Sequence, residues 1–354
     1  MRVAVVHNAV TDDSPADEQD VLVQVDAVRE ALRALGHEAY TLPAGLELGQ
    51  LRDRLEAQRP DLVFNLVESL DGKGCLIHLF PALLDAMGLP YSGAHTEAIW
   101  LTNHKVMAKE RMLAAGLPTP PWKGPHPQDL PSLRSLRPST RFKGAKQRWI
   151  IKSVWEHASV GLEAGNVVDG ASDLSIQQAL AARASSLGGV CFAEAYVDGR
   201  EFNLSVLAGP QGPQVLPPAE IIFEGYDVAQ PRIVGYRAKW DVDSEEYHHT
   251  PRSFDFKPDD RTLLAELQGL ALKCWQFFGL RGYARVDFRV DDKGQPWILE
   301  INANPCLSPD AGFAAAVARS GLSFTQVVDW ILADTINPAP FPIEFELLTS
   351  NRAE

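Results

Sequence analysis

Two apolar runs late in the chain, Tyr283–Val290 and Trp297–Ile301, flank Asp291-Asp292-Lys293-Gly294. A run, a tight polar turn and a second run specify an antiparallel hairpin. Residues two apart on a strand face the same way, so Glu300 and Asn302 point to one side. Once the hairpin pairs, Asp287 joins them from the neighbouring strand. Two carboxylates and an amide oxygen suit Mg²⁺ that also holds nucleotide phosphates. Unpaired carboxylates inside such apolar runs would be costly, which favours a cation among them. Arg285 precedes Asp287 by two residues on the same strand face. It either stabilises a developing oxyanion or phosphate oxygen, or forms a plain ion pair with one of the carboxylates.

The segments before the hairpin alternate. Val3–His7, Ala39–Leu42 and Asp61–Val67 read as strands, while Asp20–Leu35 and Leu48–Gln58 carry helical spacing. That alternation predicts an α/β fold with a parallel sheet covered by helices. Leu76–Met87 and Thr102–Ala115 follow as helices, the second stopped by Gly116 and Pro118. Pro118–Gly144 is rich in Pro, Gly and Ser and reads as a loop region. Trp149–Val154, Cys191–Tyr196, Glu201–Leu207 and Gln214–Phe223 read as extended. Arg261–Phe278, Phe313–Arg319 and Ser323–Ala333 read as helices, with a Pro-rich tail after Asn337.

Length and charge narrow the classes. A chain of 354 residues suggests two or three domains. The net charge of −13 argues against nucleic acid or an anionic membrane as the main partner, though it leaves room for a local basic pocket. The four cysteines are far apart, as expected of a reducing cytoplasm. No signal peptide and no bilayer-spanning run is expected.

Two further motifs bear on chemistry. Ile150-Ile151-Lys152 leads into Glu156-His157-Ala158-Ser159-Val160-Gly161. A lysine ending a buried strand, followed by a loop of small residues, can hold phosphates through its charge and backbone N–H groups. The pattern is not a P-loop, and the Gly-x-Gly-x-x-Gly dinucleotide fingerprint is absent after the first strand. Glu194-Ala195-Tyr196-Val197 then runs through Asp198-Gly199 to Arg200-Glu201-Phe202. Such a segment can offer backbone groups, Val197 among them, to an adenine edge and Glu201 to a ribose.

Taken in order, these motifs resemble the ATP-grasp superfamily and, within it, the D-alanine–D-alanine ligases. Gly88-Leu89-Pro90-Tyr91-Ser92-Gly93, His104-Lys105 and Ala115-Gly116-Leu117-Pro118-Thr119-Pro120 are also similar. The resemblance implies a Rossmann-like N-terminal domain (1–100) on the substrate side, a small central ATP-grasp subdomain (101–195) and a C-terminal ATP-grasp domain with the metal site (196–354). It implies that Lys105, Lys152 and Ser159 contact the ATP phosphates, with Glu194 and Val197 at the adenine end and Glu201 at the ribose. Asp287, Glu300 and Asn302 would hold two Mg²⁺ ions, with Mn²⁺ as the alternative. Lys239, in Tyr236-Arg237-Ala238-Lys239, would close over the γ-phosphate on a mobile loop, and Arg285 would stabilise the tetrahedral oxyanion. The implied reaction is carboxylate–amine ligation through an acyl phosphate, in a homodimer.

The amino-acid half departs from the family. Its Gly-Gly loop and glutamate after the first strand are replaced by His7-Asn8-Ala9-Val10-Thr11, with Glu18 as the stand-in. Ala158 replaces a serine, Trp240 a tyrosine, Cys306 a glycine and Ala311 another serine. Glu68, Asp71, Glu220, Tyr247, His248, His249, Arg252, Trp240 and Asn304 are the substrate-side candidates. His248 and His249 are expected to alternate faces on a strand. The function expected is ATP- and Mg²⁺-dependent ligation of the D-alanine–D-alanine ligase type. The alternatives are a ligase of other amino acids, peptides or natural-product acids, and a non-catalytic nucleotide-binding protein.

Overall fold

The computed structural model describes residues 1–125, 147–170, 172–227 and 230–338. Strand β1 (Arg2–Asn8), helix α1 (Ala16–Ala34), β2 (Glu38–Ala44), α2 (Leu48–Gln58) and β3 (Leu62–Leu66) open the chain. β1 lies between β2 and β3 and is parallel to both. Its residues divide by parity: Val3 and Val5 pack with Val21, Val25, Val28 and Leu32 of α1. Ala4 and Val6 pack with Leu51 and Leu55 of α2. A sheet covered on both faces buries every position, which is why β1 reads as an unbroken apolar run rather than an alternating one. The α1 core also takes in the end of the chain, Phe313, Val317, Val328 and Leu332.

Next come α3 (Leu79–Met87), α4 (Thr96–Asn103) and α5 (Lys105–Ala114). One helix was expected over Thr102–Ala115; the structure breaks it at His104, which is extended and caps α5 by accepting from the Met107 N–H at 3.1 Å. The break puts Lys105 at a helix start, its N–H held by Val154 O at 3.0 Å.

A four-stranded antiparallel sheet follows, ordered β4 (Trp122–Lys123), β7 (Cys191–Ala195), β5 (Arg148–Ser153) and β6 (Val167–Asp169). Its outer face, including Trp149, Ile151, Ala193 and Ala195, packs on Ile176 of α6 (Asp173–Arg183). The expected loop Pro118–Gly144 therefore contains β4, and its residues from 126 onward lie outside the described residues, as does the Pro-rich tail beyond 338.

The largest sheet runs β11 (Arg252–Ser253), β10 (Ala219–Ile221), β8 (Arg200–Gly209), β12 (Tyr283–Val290) and β13 (Pro296–Asn302), with β9 (Gly212–Val215) paired to β8. The single extended run expected over Gln214–Phe223 is divided into β9 and β10 by Pro217-Pro218, which cannot donate to a ladder. Between β10 and β11 lie two short helices, α7 (Arg237–Trp240) and α8 (Glu245–His248). In place of the strand expected at His248 and His249, His248 ends a helix and His249 caps it in a turn. Ser244 caps the start of that helix by accepting from the Tyr247 N–H at 3.1 Å, and Glu245 and Glu246 suit its first turn. α9 (Arg261–Phe278) covers the back of the sheet through Leu267, Ala271, Cys274 and Trp275. α10 (Gly312–Ser320) and α11 (Phe324–Ile336) complete the fold. Among the described residues, no helix is long and apolar enough to cross a membrane.

Candidate active site

Residues of the four-stranded and the largest sheet line one cleft of about 1090 Å³. The hairpin forms as its sequence demands. Arg285 stands opposite Asn302 and Asp287 opposite Glu300, with a β-bulge immediately after Asp287. On β8, Asn203 stands opposite Asp287 and Glu201 opposite Arg289. These polar residues share the cleft face, while Phe202, Leu204, Val286 and Phe288 fill the core behind them.

Asp287 is saturated with donors. Arg285 approaches through Nε at 2.7 Å and Nη2 at 2.8 Å, Asn203 Nδ2 lies at 2.8 Å and Asn302 Nδ2 at 3.2 Å. The plain ion pair, one of the two readings open for Arg285, is thus present in the structure. Glu300 differs. Its nearest cation is Lys105 Nζ at 4.0 Å. Burial alone would raise its carboxyl, but Lys105, Lys239, His157 and Lys152 outweigh that and hold it far below the usual range. Among the described residues, no three His, Cys, Asp or Glu side chains converge as a metal group. A cation here would have two carboxylates, one amide and the oxygens of a ligand, a donor set that fits Mg²⁺ rather than zinc.

The opposing sheet presents Ile150 beside Glu194 and Lys152 beside Phe192. Lys152 Nζ reaches Glu194 Oε2 at 2.5 Å, and the other oxygen is held by Lys109. Burial raises the Glu194 carboxyl, yet the two lysines more than reverse this and keep it ionised. Lys105 donates to Glu156 O at 2.5 Å, and burial lowers its ammonium against the pull of Glu300. Val197 is buried in the cleft wall, and Glu201 pairs with Arg289 at 2.7 Å. Ala158 and Ser159 both adopt left-handed backbone, φ 55 and 62, a strain that non-glycine residues keep only where surroundings fix them. The Ser159 hydroxyl donates to Val234 O at 2.9 Å.

That last contact belongs to a strap over the cleft. Tyr236 N–H bonds Leu162 O at 3.1 Å, and Trp240 Nε1 bonds Ala158 O at 3.0 Å. The Tyr236 hydroxyl reaches Asp17 Oδ1 on α1 at 2.8 Å. α7 thereby carries Lys239 into the cleft, where burial, then Arg285, lower its ammonium and Glu300 and Asp287 oppose them.

On the α1 side, Glu68 accepts from Gln24 Nε2 at 2.7 Å. Burial pushes its carboxyl up to about 7; Gln24 counters this, and Asp20 and Asp17 add to it. Asn304 bridges the Tyr283 hydroxyl at 2.6 Å and Val67 O at 3.0 Å. The Cys306 thiol donates to Asp20 Oδ2 at 3.0 Å, and burial with the charges of Glu68 and Asp20 keeps it protonated. Arg252 lines the cleft and bonds Asp310 O at 2.9 Å. Trp240, Tyr247 and His248 also line it.

Four expected residues stand elsewhere. His249 is absent from the cleft lining, and its carbonyl accepts from the Glu224 N–H at 2.9 Å. Glu220 lies opposite Phe202, hence on the far face of the sheet, bound by Arg200 through two contacts of 2.7 Å. Glu18 turns toward the Gly72 turn and leaves the cleft wall to Asp20. Asp71 pairs with Lys73 at 3.2 Å. Sequence reasoning missed Lys109, Asn203, Asp20, Gln24 and His157. Lys109 follows Lys105 by one helical turn and Asn203 follows Glu201 by one strand repeat, so periodicity gives the face of each but not its partner.

Comparison with known proteins agrees with this architecture. The family profile described as D-ala D-ala ligase C-terminus matches residues 112–333. The D-alanine–D-alanine ligase of Moorella thermoacetica is 30% identical over 93% of this chain and 99% of its own. That of Synechococcus sp. (strain JA-2-3B'a(2-13)) is 32% identical over 92% and 91%. Among solved structures, the Bacillus anthracis D-alanine–D-alanine ligase complexed with ATP has a TM-score of 0.68 at 18% identity, covering 95% of this chain and 97% of that one. The Coxiella burnetii enzyme has a TM-score of 0.67 at 17% identity, with coverage of 96% and 94%. The fold is thus ATP-grasp behind a Rossmann-like domain, and the chain belongs to the D-alanine–D-alanine ligase family.

Proposed function

We propose that the chain is an ADP-forming carboxylate–amine ligase. The observation that carries this is the pairing, across one cleft, of Lys105, Lys152 and Lys239 with the Asp287, Glu300 and Asn302 face. Lys105 and Lys152 bind the ATP phosphates and Lys239 follows the γ-phosphate as the strap closes. The strand pair would hold Mg²⁺ through Asp287, Glu300 and Asn302. When bound, the metal neutralises phosphate oxygens during transfer. The γ-phosphate passes to a substrate carboxylate, an amine attacks the acyl phosphate, and phosphate leaves. Arg285 faces the oxyanion that forms in that attack. The strap keeps water from the acyl phosphate. The protein's share is positioning and charge, so no nucleophilic side chain is needed.

The substrates are amino acids or other small acids. Ala158, Trp240 and Cys306 at the altered family positions, together with Glu68 and Asp20 in the wall, support a pair other than two D-alanines. The proposed division of the chain is into three domains, 1–100, 101–195 and 196–354. Family likeness supports a homodimer, and the free, widely spaced cysteines are compatible with a cytoplasmic setting. ADP release across a panel of D- and L-amino acids and small acids, with products read by mass spectrometry, tests the function. ATP binding without ADP release from any of them counts against it.

A further inference from the structure

Lys109 has no exposed surface and does not line the cleft, so it cannot touch a bound ligand. Its ammonium nevertheless sits at the junction of both halves of the site. It pairs with Glu194, donates to Thr119 Oγ1 at 2.6 Å and to Pro120 O at 3.2 Å, and lies 5.6 Å from the Trp122 ring centroid. Thr119 passes the contact on by donating to Ile298 O at 3.0 Å, while Ile298 N–H bonds Pro118 O at 2.8 Å. Ile298 pairs with Phe288 at the β-bulge, two residues before Glu300. One buried ammonium thus links the sheet bearing Lys152 to the strand bearing Glu300.

The charge count gives the link its purpose. Glu194, 1% exposed, carries one negative charge between two ammoniums. Were Lys152 its sole partner, the pair would be neutral and Lys152 would offer little to a polyanion. With Lys109 bound to the same carboxylate, one positive charge remains, and of the two ammoniums only that of Lys152 lines the cleft. We propose that Lys109 is a positioning residue that leaves the charge of Lys152 available to the phosphates and fixes the Lys152 sheet against the Glu300 strand. The proposal rests on the nucleotide reading above.

The test is binding of ATP with Mg²⁺ and, separately, of adenosine followed by ligand-observed NMR. Lys109→Met should weaken ATP by about tenfold, the size of one charge contact in a partly buried site, and shift adenosine by less than about twofold. Loss of both together would mark a merely structural role and overturn the proposal, as would unchanged ATP binding. Thr119→Val should raise the KM for ATP while leaving the Lys152 charge in place, so its loss should be smaller than that of Lys109→Met.

A second variant guards against misfolding. Burial lowers the Lys109 ammonium to about 8, opposed by Glu194. The charged groups facing it are Glu194 and Lys152; Trp122, Thr119 and Pro120 are neutral. Lys109→Arg keeps its charge at all accessible pH. ATP affinity of the wild type should fall as pH rises through about 8, and the arginine variant should lack that component. Lys105 and Lys239 titrate in both proteins, so the difference belongs to position 109. Matching pH profiles overturn the proposal. A wild type that binds no ATP removes the nucleotide reading and this proposal with it, whereas normal ATP binding by Lys109→Met removes this proposal alone.

Discussion

Replacing Asp287 with alanine separates the two jobs assigned to that carboxylate. It takes four donors, two from Arg285 and one each from Asn203 and Asn302. The Arg285 and Asp287 side chains are only 18% and 8% exposed, so water cannot replace the lost partner well. Breaking a buried pair on one side typically costs about 3–5 kcal/mol. Glu300 remains as a second counter-charge for Arg285, which places the expected loss at the low end, about 3 kcal/mol. Asp287→Asn keeps one oxygen acceptor but turns an NH₂ toward the remaining donors, for a loss of about 1–3 kcal/mol. Urea unfolding followed by tryptophan fluorescence reads both, with midpoints compared because the chain has more than one core. ATP with Mg²⁺ at a hundred times its Kd should stabilise the wild type by about 2.7 kcal/mol. Asp287→Asn, with its metal ligand lost, should retain only a fraction of that gain. Costs below about 1 kcal/mol for Asp287→Ala would refute the buried-pair argument. Full ligand stabilisation of Asp287→Asn would refute the metal assignment.

Three other perturbations follow from the geometry. Glu68 is raised to about 7 in the fold, so its stabilising protonated form is complete below about pH 4.5 and lost as pH rises through about 7. Glu68→Gln should remove that slope, gaining up to about 3 kcal/mol on the wild type between pH 4.5 and 7.5; parallel urea midpoints across that range would contradict it. Gly161 has φ +68, and a Cβ there would lie 2.4 Å from Ser186 O. Gly161→Ala should therefore displace the phosphate-side loop at a backbone cost of about 1–2 kcal/mol and raise the KM for ATP about tenfold, read by steady-state kinetics. Glu220→Gln should leave kcat and KM unchanged while costing about 1 kcal/mol in urea, since Arg200 keeps Asp260 at 2.5 Å.

The sequence made faces legible and left partners obscure. α9 was readable to the residue, because a long apolar stripe ends at Gly279 in left-handed backbone. The metal-bearing hairpin was equally plain, since a turn and two apolar runs permit one pairing. What strand period cannot supply is which other strand lies alongside. Nothing local to Glu194 announces Lys109 and Lys152 on either side, and nothing local to Asp287 announces Asn203. His104 broke a helix that propensity would have continued, and Pro217-Pro218 broke a strand. Glu220 and Glu18 were misjudged because one carboxylate on an apolar strand or helix looks like another until the register is known.

The cleft's charge pattern could only be seen once those partners met. The chain is strongly acidic at −13, yet Lys105, Lys152, Lys239 and Arg285 converge in the cleft beside Glu194, Asp287 and Glu300. Three lysines gathered within one cleft call for an anion, while two adjacent carboxylates on neighbouring strands call for a cation. A simple carboxylate answers the first demand and leaves the second; a bare metal does the reverse. A triphosphate that brings its own divalent ion meets both, with the phosphates toward the lysines and the metal toward Asp287 and Glu300.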